Sequence, residues 1–119
     1  MNNLGKIGEK NALEYLLRLG FVLREKNWRY GHLEIDLIME DSRALRFVEV
    51  KSLKRKSLFS PFEEVDSSKM NNMIRAARNY VSRHGIKKEV RFDVVSVIFS
   101  SPDRPPLIEY LSDAFFPVD

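Results

Sequence analysis

The stretch LEIDLIMEDSRALRFVEVK, residues 33–51, contains two apolar runs separated by a short polar segment. Alternation of side chains predicts strands over residues 33–39 and 44–51, joined by a hairpin. One face of the second strand begins with two apolar residues and continues with Glu49 and Lys51. Both signs of charge therefore occupy positions where a core face would ordinarily remain apolar.

A tight turn at Ser42-Arg43 would set Asp36 opposite Glu49 and Glu34 opposite Lys51. Two carboxylates about 5 Å apart repel each other unless a proton or a cation lies between them. Hard oxygen ligands of this kind suit Mg²⁺ or Mn²⁺, and the lysine could then orient an attacking water or offset charge on a phosphate. The alternative is purely structural, with Glu34 paired to Lys51 and Asp36 to an arginine, each pair worth up to about 1 kcal/mol.

The remaining patterns predict a helix over residues 5–20, a strand over 21–30, a second helix from a cap at 66–68 to Gly85, and strands over 90–99 and 107–111. A helix between the third and fourth strands implies a parallel crossover. We therefore expect an α/β fold with a mixed sheet flanked by helices. In the second strand, alternation assigns Leu33, Ile35 and Leu37 to one face and Glu34, Asp36 and Ile38 to the other.

Two further acids lie on predicted elements. Glu9 lines up with the apolar stripe of the first helix, where it is either an acid favoured by the helix dipole or a member of a functional site. Asp93 falls within the fourth strand, and we expect it to form a structural pair with Arg29 or Arg91.

Composition narrows the classes of function. The chain has 119 residues, 44% of them hydrophobic, which predicts a single domain over residues 1–119. Cysteine is absent, which excludes disulfide frameworks, zinc–thiolate sites and cysteine nucleophiles. No signal peptide and no run of membrane-spanning length is visible, so we expect a cytoplasmic protein without a membrane partner. The net charge of +3 and two basic clusters suit nucleic acid, although such clusters are often solvated surface.

Six motifs then point to a family. In order along the chain they are GEKNALEYL, NWRYGHLEIDLI, FVEVK, VDSSK, AARNY and RFDVV. Together they resemble the bacterial YraN family, also called UPF0102, over nearly the whole chain. That family resembles archaeal Holliday-junction resolvases, which have the restriction-endonuclease-like PD-(D/E)xK core with the element order αβββαβ. The order derived above from periodicity is the same, followed by an extra C-terminal strand.

The resemblance implies roles for individual residues. Asp36 and Glu49 become the two acids of the motif and Lys51 its lysine, which together form the catalytic group. Glu9 becomes the carboxylate of the first helix that completes the metal shell, and the backbone carbonyl of Val50 becomes a further metal ligand. The motif's usual proline before the first acid is replaced here by isoleucine.

Four basic residues are candidates for nucleic-acid binding: Lys54, Arg55, Lys56 and Lys69. Lys69, near the start of the second helix, would contact phosphate or flank the site, and the alternative is a solvated lysine. The resemblance thus implies a Mg²⁺- or Mn²⁺-dependent endonuclease for DNA, with branched or junction DNA as substrate and a homodimer for paired cuts. The alternative is a non-catalytic nucleic-acid-binding or protein-adaptor module that keeps the fold.

Overall fold

Seven elements follow one another along the chain in the computed structural model, which describes residues 3–54 and 67–117. They are α1 (Leu4–Arg18), β1 (Val22–Tyr30), β2 (Leu33–Glu40), β3 (Ala44–Lys54), α2 (Ser67–His84), β4 (Glu89–Phe99) and β5 (Leu107–Phe115). This order confirms the predicted αβββαβ core with its extra C-terminal strand. The last strand runs to Phe115, four residues beyond the predicted end at Leu111.

The five strands form one sheet in the order β1-β2-β3-β4-β5. β3 and β4 run parallel, whereas the other neighbours are antiparallel. A parallel pair needs a crossover connection, and α2 lies in that connection. The mixed sheet of the predicted α/β fold is therefore confirmed. Neither helix of the described ranges is long and apolar enough to cross a membrane.

The hairpin between β2 and β3 has the predicted register, since Leu37 pairs with Val48 and the neighbouring pairs follow in step. Its tip is stabilised by a side chain rather than by glycine. The Asp41 carboxylate accepts hydrogen bonds from the backbone N–H groups of Arg43 and Ala44, both at 2.8 Å. This short polar side chain explains how a turn forms without the residues that primed turns favour.

The two helices cover opposite faces of the sheet. Adjacent β3 residues show this directly, because Phe47 packs in the core beneath α2 and Val48 in the core beneath α1. The α2-side core is filled mainly by Leu33, Ile35, Ile38, Leu45, Phe47, Met73, Ile74, Ala77, Tyr80 and Phe92. The α1-side core is filled by Ala12, Leu16, Leu37, Met39, Val48, Val95 and Val97.

Strand β2 departs from simple alternation. Leu33 and Ile35 pack in the α2-side core together with Ile38, whereas Leu37 packs in the α1-side core. The prediction that Leu33, Ile35 and Leu37 share one face is therefore wrong. The ladder with β3 runs from Glu40 to Leu37, and the earlier half of β2 is paired with β1. The alternation therefore changes between Ile35 and Leu37, where the β3 ladder ends, and the odd-numbered side chains before that point lie on the α2 side.

Helix α1 approaches β3 closely at one point. Gly8 is buried, and a Cβ atom at this position would collide with the Oγ of Ser52. A side chain at position 8 would require the Ser52 side chain to move or the helix to shift away from the strand. Because Glu9 is the next residue, this contact fixes how far the Glu9 backbone lies from β3.

Candidate functional site

Asp36 and Glu49 meet where β2 leaves the β3 ladder. The Oδ2 of Asp36 accepts a hydrogen bond from the backbone N–H of Val50 at 2.8 Å, and the Glu49 carboxyl lies close enough to interact electrostatically with Asp36. Glu49 is only 7% exposed. The predicted juxtaposition of the two acids is thus present. The Asp36 carboxylate accepts the hydrogen bond of a β3 N–H group that, in a regular ladder, a backbone carbonyl of β2 would accept.

The two carboxyl groups lie close enough for each to disfavour a charge on the other. Burial, followed by the negative charge of Glu49, raises the pKa of Asp36 to about 7. The Val50 N–H bond and the charge of Lys69 act in the opposite direction but are outweighed. A hydrogen bond between two carboxyl groups requires that one of them carry the proton. A cation could replace that proton and relieve the same repulsion.

Lys69 reaches the pair from the first turn of α2. Its Nζ lies 3.2 Å from the Oε2 of Glu49. Burial lowers the pKa of Lys69, but the charge and hydrogen bond of Glu49 outweigh it, so the pKa is raised and the side chain stays protonated. Lys69 thus contacts one of the two acids, and its role beside a functional site and its contact with phosphate stay predictions.

The other predicted basic residues lie on or beyond β3. Lys51 is half-buried and pairs with Ser96 of β4 in the parallel ladder, two residues beyond Glu49 and so on the same face. Lys54 is exposed at the end of the strand. Arg55 and Lys56 lie outside the described residues. The catalytic role of Lys51 and the nucleic-acid contacts of this cluster stay predictions.

Glu9 lies close to the pair but is held by a different neighbour. Burial, followed by the charge of Asp36, raises the pKa of Glu9, and a hydrogen bond from the Asn27 side chain acts against that rise. Within residues 3–54 and 67–117, no three His, Asp or Glu side chains converge on one metal position. The structure therefore brings Asp36 and Glu49 together with Glu9 alongside. Metal ligation by Glu9 and by the Val50 carbonyl stays a prediction.

The donor set of the pair fits a hard divalent cation. Mg²⁺ is commonly held by one or two carboxylates, with the remaining positions filled by water and substrate phosphate. Asp36 and Glu49 supply two such carboxylates, and their mutual repulsion is the electrostatic condition that a cation would correct. A histidine or thiolate ligand set, as zinc prefers, is not formed by the described residues.

Asp93 is fully buried at the centre of a separate network. It accepts hydrogen bonds from the Arg46 guanidinium at 3.1 Å, the Tyr110 hydroxyl at 2.6 Å and the Asp113 backbone N–H at 2.9 Å. The structural role was predicted, but the partner was not, since Arg46 takes the place expected for Arg29 or Arg91. Arg46 lies on the adjacent strand β3, where it reaches Asp93 diagonally rather than as a direct ladder partner.

Sequence reasoning overlooked a group of residues beside Glu9. A cavity of about 420 Å³ is lined by Lys6, Glu9, Lys10, Leu13, Lys26, Asn27 and Leu37. Asn27 adopts the left-handed conformation with φ of 53°. One signal was available in the sequence, because the spacing of Lys6 and Lys10 puts both on one side of α1. The contribution of Lys26 depends on how β1 packs beneath the helix.

A family model and individual relatives both assign this chain to the same family. The family model described as "Uncharacterised protein family UPF0102" matches residues 8–97. A UPF0102 protein of Bacteroides thetaiotaomicron is 37% identical over 116 residues, which cover 98% of this chain and 94% of the relative. A UPF0102 protein of Dictyoglomus turgidum is 37% identical over 118 residues, which cover 97% of this chain and 100% of the relative. The chain therefore belongs to the uncharacterised protein family UPF0102.

Proposed function

We propose that this protein is a Mg²⁺- or Mn²⁺-dependent endonuclease that hydrolyses DNA phosphodiester bonds. The supporting observation is the juxtaposition of half-buried Asp36 and buried Glu49 where two strands separate. Each carboxylate has a partner, the Val50 N–H for Asp36 and Lys69 for Glu49, but the two acids also oppose each other. Such an arrangement costs stability, which is typical of sites that serve a ligand.

Each residue of the site has a distinct task in this proposal. Asp36 and Glu49 hold the ion through their carboxylate oxygens, and the ion, when bound, supplies Lewis-acid stabilisation of charge on the reacting phosphate. Lys51 orients the attacking water and donates a hydrogen bond to the phosphate. Lys69, at 3.2 Å from Glu49, balances the negative charge of the site and contacts the phosphate from the α2 side.

Branched or junction DNA is the substrate that the resemblance to resolvases suggests. Cleavage of a junction requires cuts in two strands, and a homodimer would supply two sites related by a two-fold axis. The exposed Lys54 and its neighbours along the chain would contribute sequence-independent phosphate contacts.

A cleavage assay tests the proposal. Wild type, Asp36→Ala and Lys51→Ala are incubated with linear, flapped and four-way DNA in Mg²⁺, in Mn²⁺ and in EDTA. We expect the wild type to cut only with metal, and each variant to lose at least about a hundredfold in rate, the usual loss when one charge-stabilising group is removed. Asp103→Ala and Lys87→Ala, both at exposed positions, are matched controls that retain wild-type rates.

The outcomes separate the site from the activity. Equal cutting by wild type and by the site variants would refute this site and indicate a contaminating nuclease. Failure of the wild type to cut any of the DNA forms would favour a non-catalytic module.

That second candidate, a nucleic-acid-binding or protein-adaptor module that keeps the fold, is favoured by one specific contact. The Lys69–Glu49 ion pair already compensates one of the two acids without a metal. An adaptor would bind its partner in EDTA as well as in Mg²⁺, and DNA binding by such a module would weaken steeply with salt.

A further inference from the structure

The cavity beside Glu9 lies on the α1 side of the sheet. Lys6 and Lys10 project from one side of α1, one turn apart, and Lys26 projects from β1, where it pairs with Leu37 of β2. Helix and strand therefore contribute three exposed lysines to the lining of one space of about 420 Å³. The arrangement involves residues far apart in the sequence, so it is a product of the fold rather than of a local basic run.

The positive charge of this cavity is incompletely balanced. Within the described ranges, none of Lys6, Lys10 and Lys26 forms an ion pair. The one acid among the lining residues is Glu9, and Asp36 and Glu34 lie within electrostatic reach of it. The three lysines outnumber the acids that line the cavity, and a lining with this balance attracts a further negative group.

The cavity adjoins the carboxylate pair. Glu9 interacts electrostatically with Lys26 on the cavity side and with Asp36 on the other. Leu37, which forms part of the cavity lining, directly follows Asp36 in β2. A ligand that extends from the carboxylate pair across Glu9 would therefore meet the three lysines next.

We propose that Lys6, Lys10 and Lys26 bind backbone phosphates of the same nucleic-acid strand whose reacting phosphate lies at Asp36 and Glu49. This inference rests on the proposed function, since it assigns the path of the substrate next to that site. Lysine presents a compact point charge on a flexible stem, so these contacts position the strand without reading its bases.

Binding without cleavage provides the test. Affinity of the full chain for a labelled DNA duplex is measured by fluorescence anisotropy in EDTA, between about 50 and 200 mM salt. The variant Lys6→Gln/Lys10→Gln/Lys26→Gln is expected to bind about tenfold more weakly at the higher salt. Its plot of log affinity against log salt should be shallower by two to three, because about one counterion is released for each phosphate contact. The triple Lys→Arg variant at these positions keeps the charge and is expected to bind like the wild type.

A matched variant controls for net charge. Arg18→Gln/Lys87→Gln/Arg104→Gln removes three positive charges from other exposed positions and is expected to weaken binding by less than about twofold. Equal weakening by the two glutamine triples would overturn the proposal, because the effect would then be general charge. Thermal melting of every variant confirms that folding is retained.

A free anion is distinguished with inorganic pyrophosphate. Suppose that pyrophosphate binds the wild type through these lysines, but that the Lys6→Gln/Lys10→Gln/Lys26→Gln variant binds DNA as tightly as the charge-control variant. The cavity then binds a free anion, and its assignment to a nucleic-acid strand is overturned. Failure of the nuclease proposal is recognised separately. A wild type that never cuts DNA, but loses affinity when the three lysines are replaced, refutes the nuclease and supports only the phosphate contacts of the lysines, with no reacting phosphate beside them.

Discussion

Two buried acidic sites lie on this sheet, and they differ in how their charge is met. Asp93 accepts hydrogen bonds from a guanidinium, a hydroxyl and a backbone N–H, so both of its oxygens have donors. Asp36 has one backbone donor and lies beside Glu49, a second acid that Lys69 contacts. The Asp93 carboxylate is fully supplied with donors, whereas Lys69 offsets only part of the negative charge of the Asp36–Glu49 pair.

The contrast teaches how to separate structural from functional acids in a fold of this kind. Burial alone does not do so, because Glu49 and Asp93 are both almost inaccessible. The charge of the groups that surround each acid does separate the two kinds of site. The same chemical change, aspartate to asparagine, should therefore change the free energy of unfolding in opposite directions at the two sites.

The largest effect is expected at Asp93. An asparagine there cannot neutralise Arg46, and its NH₂ group must either face the Asp113 N–H, a donor, or take the place of the oxygen to which the Tyr110 hydroxyl donates. We expect Asp93→Asn to lower the free energy of unfolding by about 3–5 kcal/mol, as when one partner of a buried ion pair is removed. Urea denaturation measures this change. A loss below about 1 kcal/mol would show that the network is not structural.

The second effect has the opposite sign. Asp36→Asn keeps an oxygen for the Val50 N–H and supplies an NH₂ group for Glu49. In EDTA at pH 8 we expect this variant to be more stable than the wild type by about 2 kcal/mol, because the wild type must then hold two charged acids together. Urea denaturation at a series of pH values measures the difference.

The pH dependence of that difference follows from the raised pKa of Asp36. The pKa is raised from 3.8 to about 7, so the folded protein binds a proton that the unfolded chain releases at lower pH. This contribution to stability is complete below the unfolded value and is lost as the pH rises through about 7. The variant lacks this loss. A gap between the two proteins that does not grow between pH 4 and pH 8 would contradict the shared proton.

The third and smallest effect concerns metal. At ten times its dissociation constant, Mg²⁺ or Mn²⁺ should stabilise the wild type by about 1.4 kcal/mol and raise its melting temperature. Asp36→Asn should show no such rise. Because the ion displaces a proton, the stabilisation should be smaller at pH 6 than at pH 8. Equal stabilisation of wild type and variant would exclude Asp36 as a ligand.

The sequence predicted the register of the hairpin well because a period of two and a short turn leave few alternatives. It therefore anticipated that Asp36 and Glu49 would meet. It failed in the first half of β2, where Leu33 and Ile35 face α2 against the simple alternation. That departure occurs where the ladder between β2 and β3 ends. The sequence of one strand does not indicate how far its pairing with a neighbouring strand extends.

Contacts between distant elements were also beyond prediction. Lys69 was a candidate, but its approach to Glu49 depends on how α2 packs on the sheet. The partner of Asp93 was missed because Arg46 reaches it diagonally across a parallel pair, and because Asp113 lies on a part of β5 that was not predicted as strand. The cavity lysines combine a helix with β1, so only the folded chain brings them together.

The close approach of α1 to β3 at Gly8 and Ser52 carries a consequence for how this chain can evolve. The two positions lie on different elements yet are in direct contact, so a side chain at position 8 requires the Ser52 side chain to move or to become smaller. Substitutions at positions 8 and 52 should be tolerated in combinations rather than singly, a case of non-additivity between residues in contact. Because Glu9 follows Gly8, this steric coupling would also limit the sequence changes that move α1 relative to the acidic pair. Gly8 would have this effect although it has no reactive side chain.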